Sequence, residues 1–155
     1  MALMSDANAR PLRIVVFDDN AADVHLLAEA LAENRMAFDL DVFDDGEQVH
    51  KYLASQKPQA DLFVIDLNLP KLTGDEILFH IRQDKSLSHI PALVLTSSDS
   101  VRDRERVMQL GATAFLRKPC TLDEYFGIGK VIKNLILREP PASAGGRSGE
   151  ASETP

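Results

Sequence analysis

Five times along this chain a short apolar run is followed by a segment whose apolar residues recur at spacings of three and four. The runs are Leu12 to Phe17, Phe38 to Phe43, Leu62 to Ile65, Ile90 to Leu95 and Ala112 to Leu116. LFVI at 62–65 is apolar throughout, as a strand buried on both faces must be, whereas FDLDVF at 38–43 has one wetter face. The segments between them predict helices. Ala21 to Glu33 carries Val24, Leu27, Ala28 and Leu31 behind Asn20, a good N-cap, and Asp45-Gly46 opens a short helix through Val49, Tyr52 and Leu53. A loop with Pro70 and Gly74 leads to Ile77, Leu78 and Ile81; Val101 to Leu110 stops at Gly111; Leu122 to Arg138 closes the series. Strands alternating with helices form a parallel sheet covered on both faces, an α/β fold.

In such sheets ligands bind beyond the carboxyl ends of the strands. Those ends carry Asp18 and Asp19, then Asp66, then Thr96, then Lys118. They are far apart in sequence, yet the architecture brings them to one edge. Two carboxylates about 4 Å apart repel by about 4 kcal/mol at an effective dielectric near 20, so the group needs a cation or a proton. No His or Cys stands beside them, which disfavours zinc, copper and iron; hard oxygen ligands suit Mg²⁺, with Mn²⁺ as a substitute. With a lysine and a hydroxyl added, the set suits transfer of a tetrahedral anion. Asp66 is the candidate nucleophile, Asp18 and Asp19 are the metal-holding pair, and Thr96 and Lys118 bind anionic oxygens.

Composition narrows the remainder. The chain has 155 residues and a formal net charge of -7, which argues against nucleic-acid binding because phosphate neutralisation needs clustered Lys and Arg. One cysteine excludes an intramolecular disulfide framework, and no stretch is apolar enough for a membrane span or signal peptide, so a cytoplasmic protein is expected. Residues 1–10 read as a flexible leader, 11–138 as the folded domain, and 139–155, lacking any large apolar side chain, as a disordered Pro/Gly/Ser tail. His25, His50, His80 and His89 show no ligand spacing; Cys120 reads as incidental, and Asp39, Asp41, Asp44 and Asp45 as solvated.

FDDN at 17–20, DLFVIDLNLPKLTGDEIL at 61–78, LVLTSSD at 93–99 and FLRKP at 115–119 together resemble the receiver domains of two-component response regulators, the chemotaxis regulator among them. The resemblance spans roughly residues 12–137. It implies a flavodoxin-like (βα)5 fold with strand order 2-1-3-4-5. It also implies a Mg²⁺-dependent phosphoryl transfer from a sensor histidine kinase to Asp66, with autodephosphorylation but no turnover of a separate substrate. By the same resemblance Asp19 is a direct metal ligand, Asp18 acts through a metal-bound water, and Asn68 lends its backbone carbonyl. Thr96 is the switch hydroxyl, Phe115 the switch aromatic in place of the frequent Tyr, and Lys118 the phosphoryl-pairing lysine. Ser97 stands where Ala or Gly is usual, and the Lys118–Pro119 bond is expected to be cis.

Residues 67–99 are similar to single-domain regulators paired with bacterial phytochromes, which implies a bacteriophytochrome as the kinase. No output domain is expected after Arg138, so the expected output is another protein rather than DNA, or onward transfer of the phosphoryl group as a relay shuttle. The last helix offers two apolar stripes. Tyr125, Phe126, Gly129, Ile132 and Ile136 are predicted to face the sheet; Ile128, Val131 and Leu135 are predicted to form, with the fifth strand, a homodimer surface. Two rivals remain at this point: an aspartyl-phosphate phosphatase, weakened by Asn20 where its acid/base carboxylate belongs, and a scaffold that signals without phosphorylation.

Overall fold

The computed structural model describes residues 10–55 and 60–137. The expected tail, Arg138, and the expected leader apart from Arg10 lie outside them; Arg10 itself pairs with Asp61 at 2.8 Å. The chain alternates β1 (Leu12–Phe17), α1 (Ala21–Glu33), β2 (Phe38–Phe43), α2 (Gly46–Ala54), β3 (Leu62–Ile65), α3 (Gly74–Gln83), β4 (Ala92–Thr96), α4 (Val101–Gln109), β5 (Ala114–Arg117) and α5 (Leu122–Leu137). All strand pairs are parallel, and the order is β2-β1-β3-β4-β5, the flavodoxin-like arrangement.

Side chains alternate along a strand, so each central strand feeds two cores. Ile14, Val16, Leu62, Val64, Leu93 and Leu95 pack with Leu27, Ala30 and Leu31 of α1 and Tyr125, Ile128 and Ile132 of α5. Val15, Phe17, Phe63, Ile65 and Val94 pack on the opposite face with residues of α2, α3 and α4. The run β1-β3-β4 is buried because both faces are covered. The edge strand β2 leaves Asp39 and Val42 exposed.

Helix starts follow capping chemistry. Asn20 accepts from the Asp23 N–H, Thr73 and Glu76 form a reciprocal capping box, and Ser100 accepts from the Asp103 N–H. Asp45, expected to be merely solvated, caps α2 by accepting from the N–H groups of Glu47 and Gln48, and Asp41 pairs with Arg13 at 2.8 Å. Two strands begin later than the apolar pattern predicts. Pro91 has no N–H for the ladder, so β4 starts at Ala92. Ala112 donates back to Val107 as part of the α4 ending, so β5 starts at Ala114.

The two predicted stripes of α5 merge. Ile128 is buried with Tyr125 and Ile132 in the sheet-facing core, leaving Val131 and Leu135 half-buried at its margin. Gly129 faces α1 instead of the sheet: a Cβ there would lie 2.6 Å from the Ala30 carbonyl oxygen, so glycine sets how closely α1 and α5 approach.

Candidate functional site

Three of the four strand ladders continue one residue past their strands. The Asp18 N–H donates to the Phe43 carbonyl at 3.1 Å, the Asp66 N–H to that of Phe17 at 2.9 Å, and the Lys118 N–H to that of Thr96 at 2.7 Å. Asp18, Asp66 and Lys118 follow Val16, Val64 and Leu116 by two positions, so all three project toward the α1/α5 side of one sheet edge. Gly74, at the start of α3, backs this edge. A Cβ there would come within 2.7 Å of the Asp66 carbonyl oxygen and the Leu67 Cα.

The three carboxylates the sequence nominates do meet. Asp18, Asp19 and Asp66 each present an oxygen within 4.8 Å of the others. Asp18 and Asp66 are 6% and 7% exposed, whereas Asp19 is open to solvent. Lys118 Nζ lies 3.0 Å from Asp18 Oδ2 and 3.0 Å from Asp66 Oδ2. The other oxygen of each buried carboxylate is also engaged: Asp18 Oδ1 accepts from the Asn20 N–H at 2.9 Å, and Asp66 Oδ1 from the Asn68 N–H at 3.2 Å. Both carboxylates are thereby held in orientation.

Electrostatics follow from this packing. Burial raises the Asp18 carboxyl above its ordinary pKa, and the Asn20 N–H and Lys118 only partly offset it. Burial alone would lower Lys118, but the hydrogen bonds it donates to Asp23, Asp66 and Asp18 outweigh it, and the ammonium stays charged. The donor set fits a hard divalent cation: it consists of carboxylate oxygens, and the four histidines, all exposed, take no part in it. Asn20 caps α1 through its side-chain oxygen, and as an amide it carries no carboxylate to act as acid or base.

Thr96 is fully buried, with Oγ1 accepting from the Ser98 N–H at 3.4 Å; Ser97 beside it is exposed. Phe115 packs in the α2–α4 core, its ring covered by the Arg104 guanidinium at 5.7 Å. Lys118–Pro119 is trans, contrary to expectation. An X–Pro bond prefers trans by about 0.5–1 kcal/mol unless packing selects otherwise.

Two groups escaped the reading of the sequence. Asp23, in the first turn of α1, takes the shortest of the three Lys118 contacts, 2.7 Å from Nζ to Oδ2. Tyr125 of α5, buried at its ring, donates its hydroxyl to Asp23 Oδ1 at 3.5 Å. Burial, followed by the charge of Asp23, pushes the Tyr125 phenol up to about 12. The available signal was the place of Asp23 in the first turn of α1, directly behind the Asn20 cap and so at the helix end that adjoins Asp18 and Asp19.

The model of the response regulator receiver domain family matches residues 14–127. Response regulator Rcp1 of Synechocystis sp. is 32% identical over 139 residues, covering 86% of this chain and 95% of that protein. The crystal structure of the phosphorylated cyanobacterial phytochrome response regulator RcpA aligns with a TM-score of 0.75 at 31% identity, covering 83% of this chain and 96% of that one. The Mn²⁺-bound form of Rcp1 aligns with a TM-score of 0.74 at 29% identity, covering 84% and 98%.

Proposed function

This chain belongs to the response regulator receiver domain family of two-component signalling, and on that premise we propose that it accepts a phosphoryl group on Asp66 from a phosphohistidine of its partner kinase. The observation that carries the reading is the meeting of Asp18, Asp19 and Asp66 within 4.8 Å, with Lys118 Nζ 3.0 Å from the nucleophile. Receiver domains are signalling domains that partner with histidine kinases. Among the described residues no helix is long and apolar enough to cross a membrane.

In the proposed step an Asp66 oxygen donates a lone pair to phosphorus. The bond from phosphorus to the kinase imidazole breaks, and its electrons leave on the imidazole nitrogen. Asp19, Asp66 and the backbone carbonyl of Asn68 would hold a Mg²⁺ ion directly, and Asp18 through water. Such an ion neutralises charge that builds on the transferred oxygens. Lys118 supplies a further positive charge 3.0 Å from Asp66 Oδ2, without giving up a proton. The Asn68 N–H on Oδ1 and the lysine on Oδ2 keep the carboxylate from rotating. Thr96, one residue past Leu95, would turn its hydroxyl onto the phosphoryl group, and Phe115 would follow from its place under Arg104. The reaction is self-catalysed and stoichiometric rather than a turnover of separate substrate.

The resemblance to the phytochrome response regulator RcpA at 31% identity supports a phytochrome, in this reading a bacteriophytochrome, as the kinase. A homodimer through β5 and α5 belongs to the same reading. Its support is a groove of about 510 Å³ along that face, lined by Leu116, Pro119, Gly127, Ile128 and Val131 among others. The test of the central claim is incubation with acetyl phosphate and Mg²⁺, followed by intact-protein mass spectrometry. One phosphoryl group per chain is expected, absent in Asp66→Asn; labelling that survives this substitution would reassign the nucleophile.

A further inference from the structure

Lys118 has one positive charge and three carboxylate partners, and those partners are not equivalent. Asp18 and Asp66 belong to the carboxylate triad that would hold a cation, so their charge is shared once the site is loaded. Asp23 lies outside that triad, yet makes the shortest contact to Nζ, at 2.7 Å. Its place is set independently of Lys118. The Asp23 N–H is bound by the Asn20 cap, the Tyr125 hydroxyl reaches its Oδ1, and the first turn of α1 favours a negative charge. The Lys118 side chain is 7% exposed and that of Asp23 is 23% exposed, so the pair is largely shielded from water.

We propose that Asp23 is a positioning residue for phosphoryl transfer: it anchors Lys118 Nζ over Asp66 while Asp18 and Asp66 change partners. An ammonium has three donors. At rest they serve Asp18, Asp23 and Asp66. During transfer the donors on Asp18 and Asp66 are released toward the phosphoryl oxygens, and the donor on Asp23 stays. The inference rests on Asp66 being the phosphoacceptor. With acetyl phosphate as donor, an Asp66 oxygen bonds to phosphorus as the bond from phosphorus to the acetate oxygen breaks, the electrons leaving on acetate. Lys118 keeps its proton throughout.

The test is a double-mutant cycle on the full chain: parent, Asp23→Asn, Lys118→Ala and the double variant, each labelled by acetyl phosphate in Mg²⁺. Asn keeps the shape and a hydrogen-bond acceptor but removes the charge. Asp23→Asn is expected to lower the maximal labelling rate about tenfold, with the half-saturating donor concentration and calorimetric Mg²⁺ affinity unchanged. In the Lys118→Ala background the same substitution is expected to change nothing further. In the metal-free protein, ammonium proton exchange at Lys118, followed by NMR, is expected to speed up in Asp23→Asn. An unchanged or faster labelling rate, an equal loss in the Lys118→Ala background, or unaltered ammonium exchange would each overturn the assignment. Asp23→Ser repeats the comparison if the Asn variant does not fold. Failure of the parent to label, or labelling retained by Asp66→Asn, would instead remove the phosphoacceptor reading itself.

Discussion

Asp18→Asn is expected to make the metal-free protein more stable while weakening its response to Mg²⁺. At an effective dielectric near 20, Lys118 at 3.0 Å attracts the Asp18 carboxylate by about 5.5 kcal/mol, and Asp66 at up to 4.8 Å repels it by about 3.5 kcal/mol. Asp19 is exposed and adds only about 1 kcal/mol of repulsion at the dielectric of water. The Coulomb terms nearly cancel, which leaves the desolvation of a carboxylate only 6% exposed, a cost of several kcal/mol that the Asn20 N–H partly offsets. A neutral Asn avoids that cost and keeps an oxygen for Asn20, for a net gain of about 1–2 kcal/mol, or about 3–8 °C in Tm. The pH dependence has a definite sign. Burial raises the folded-state pKa of Asp18, so between its ordinary value of 3.8 and the raised one the folded protein binds more protons than the unfolded chain. Stability from this group therefore falls as pH rises through that window, and the deficit persists at neutral pH. Thermal unfolding by circular dichroism in EDTA, across pH 3 to 8 at low salt, reads both effects. Mg²⁺ at 100 times its dissociation constant should then stabilise the parent by about 2.7 kcal/mol and the variant by much less. A variant that melts below the parent in EDTA, or pH profiles that coincide, would refute the reasoning.

Gly74→Ala places a methyl group 2.7 Å from the Asp66 carbonyl oxygen and the Leu67 Cα, both backbone, and is expected to cost about 2–3 kcal/mol in urea unfolding; a loss below about 0.5 kcal/mol would show that this contact relaxes freely. Arg82→Ala removes the donors to the carbonyls of Gly111 at 2.9 Å and Ile90 at 2.8 Å, which tie the end of α3 to the turns before β4 and β5. The expected loss is again about 2–3 kcal/mol, with phosphoryl labelling unaffected. Val131→Glu puts a charge into the β5/α5 groove and is expected to convert a dimeric parent to monomer in analytical ultracentrifugation; an unchanged sedimentation mass would place the interface elsewhere.

The residues that decide the fold are local in effect, which is why the sequence disclosed them. LFVI at 62–65 has no polar face, so it has to be a covered strand, and five such runs alternating with helical spacing leave a parallel sheet with its ligand edge at the strand ends. The approach of Asp18, Asp19, Asp66 and Lys118 was legible for the same reason: each sits next to a strand end, and topology does the rest. What escaped came from packing between helices. Ile128 and Val131 look alike in a helical repeat, yet the rotation of α5 against α1, set by the contact of Gly129 with Ala30, buries the first and leaves the second at the margin.

Asp23 is the clearest division between the two. In the sequence it is one more acidic residue in the first turn of a helix, and capping chemistry accounts for it without further comment. Only when α1 and α5 close over the same side of the sheet does its oxygen come within 2.7 Å of Lys118, 95 residues away. Strand and helix identity are written in short-range periodicity. The partner of a buried charge depends on the distance between elements, which is settled by the side chains packed between them.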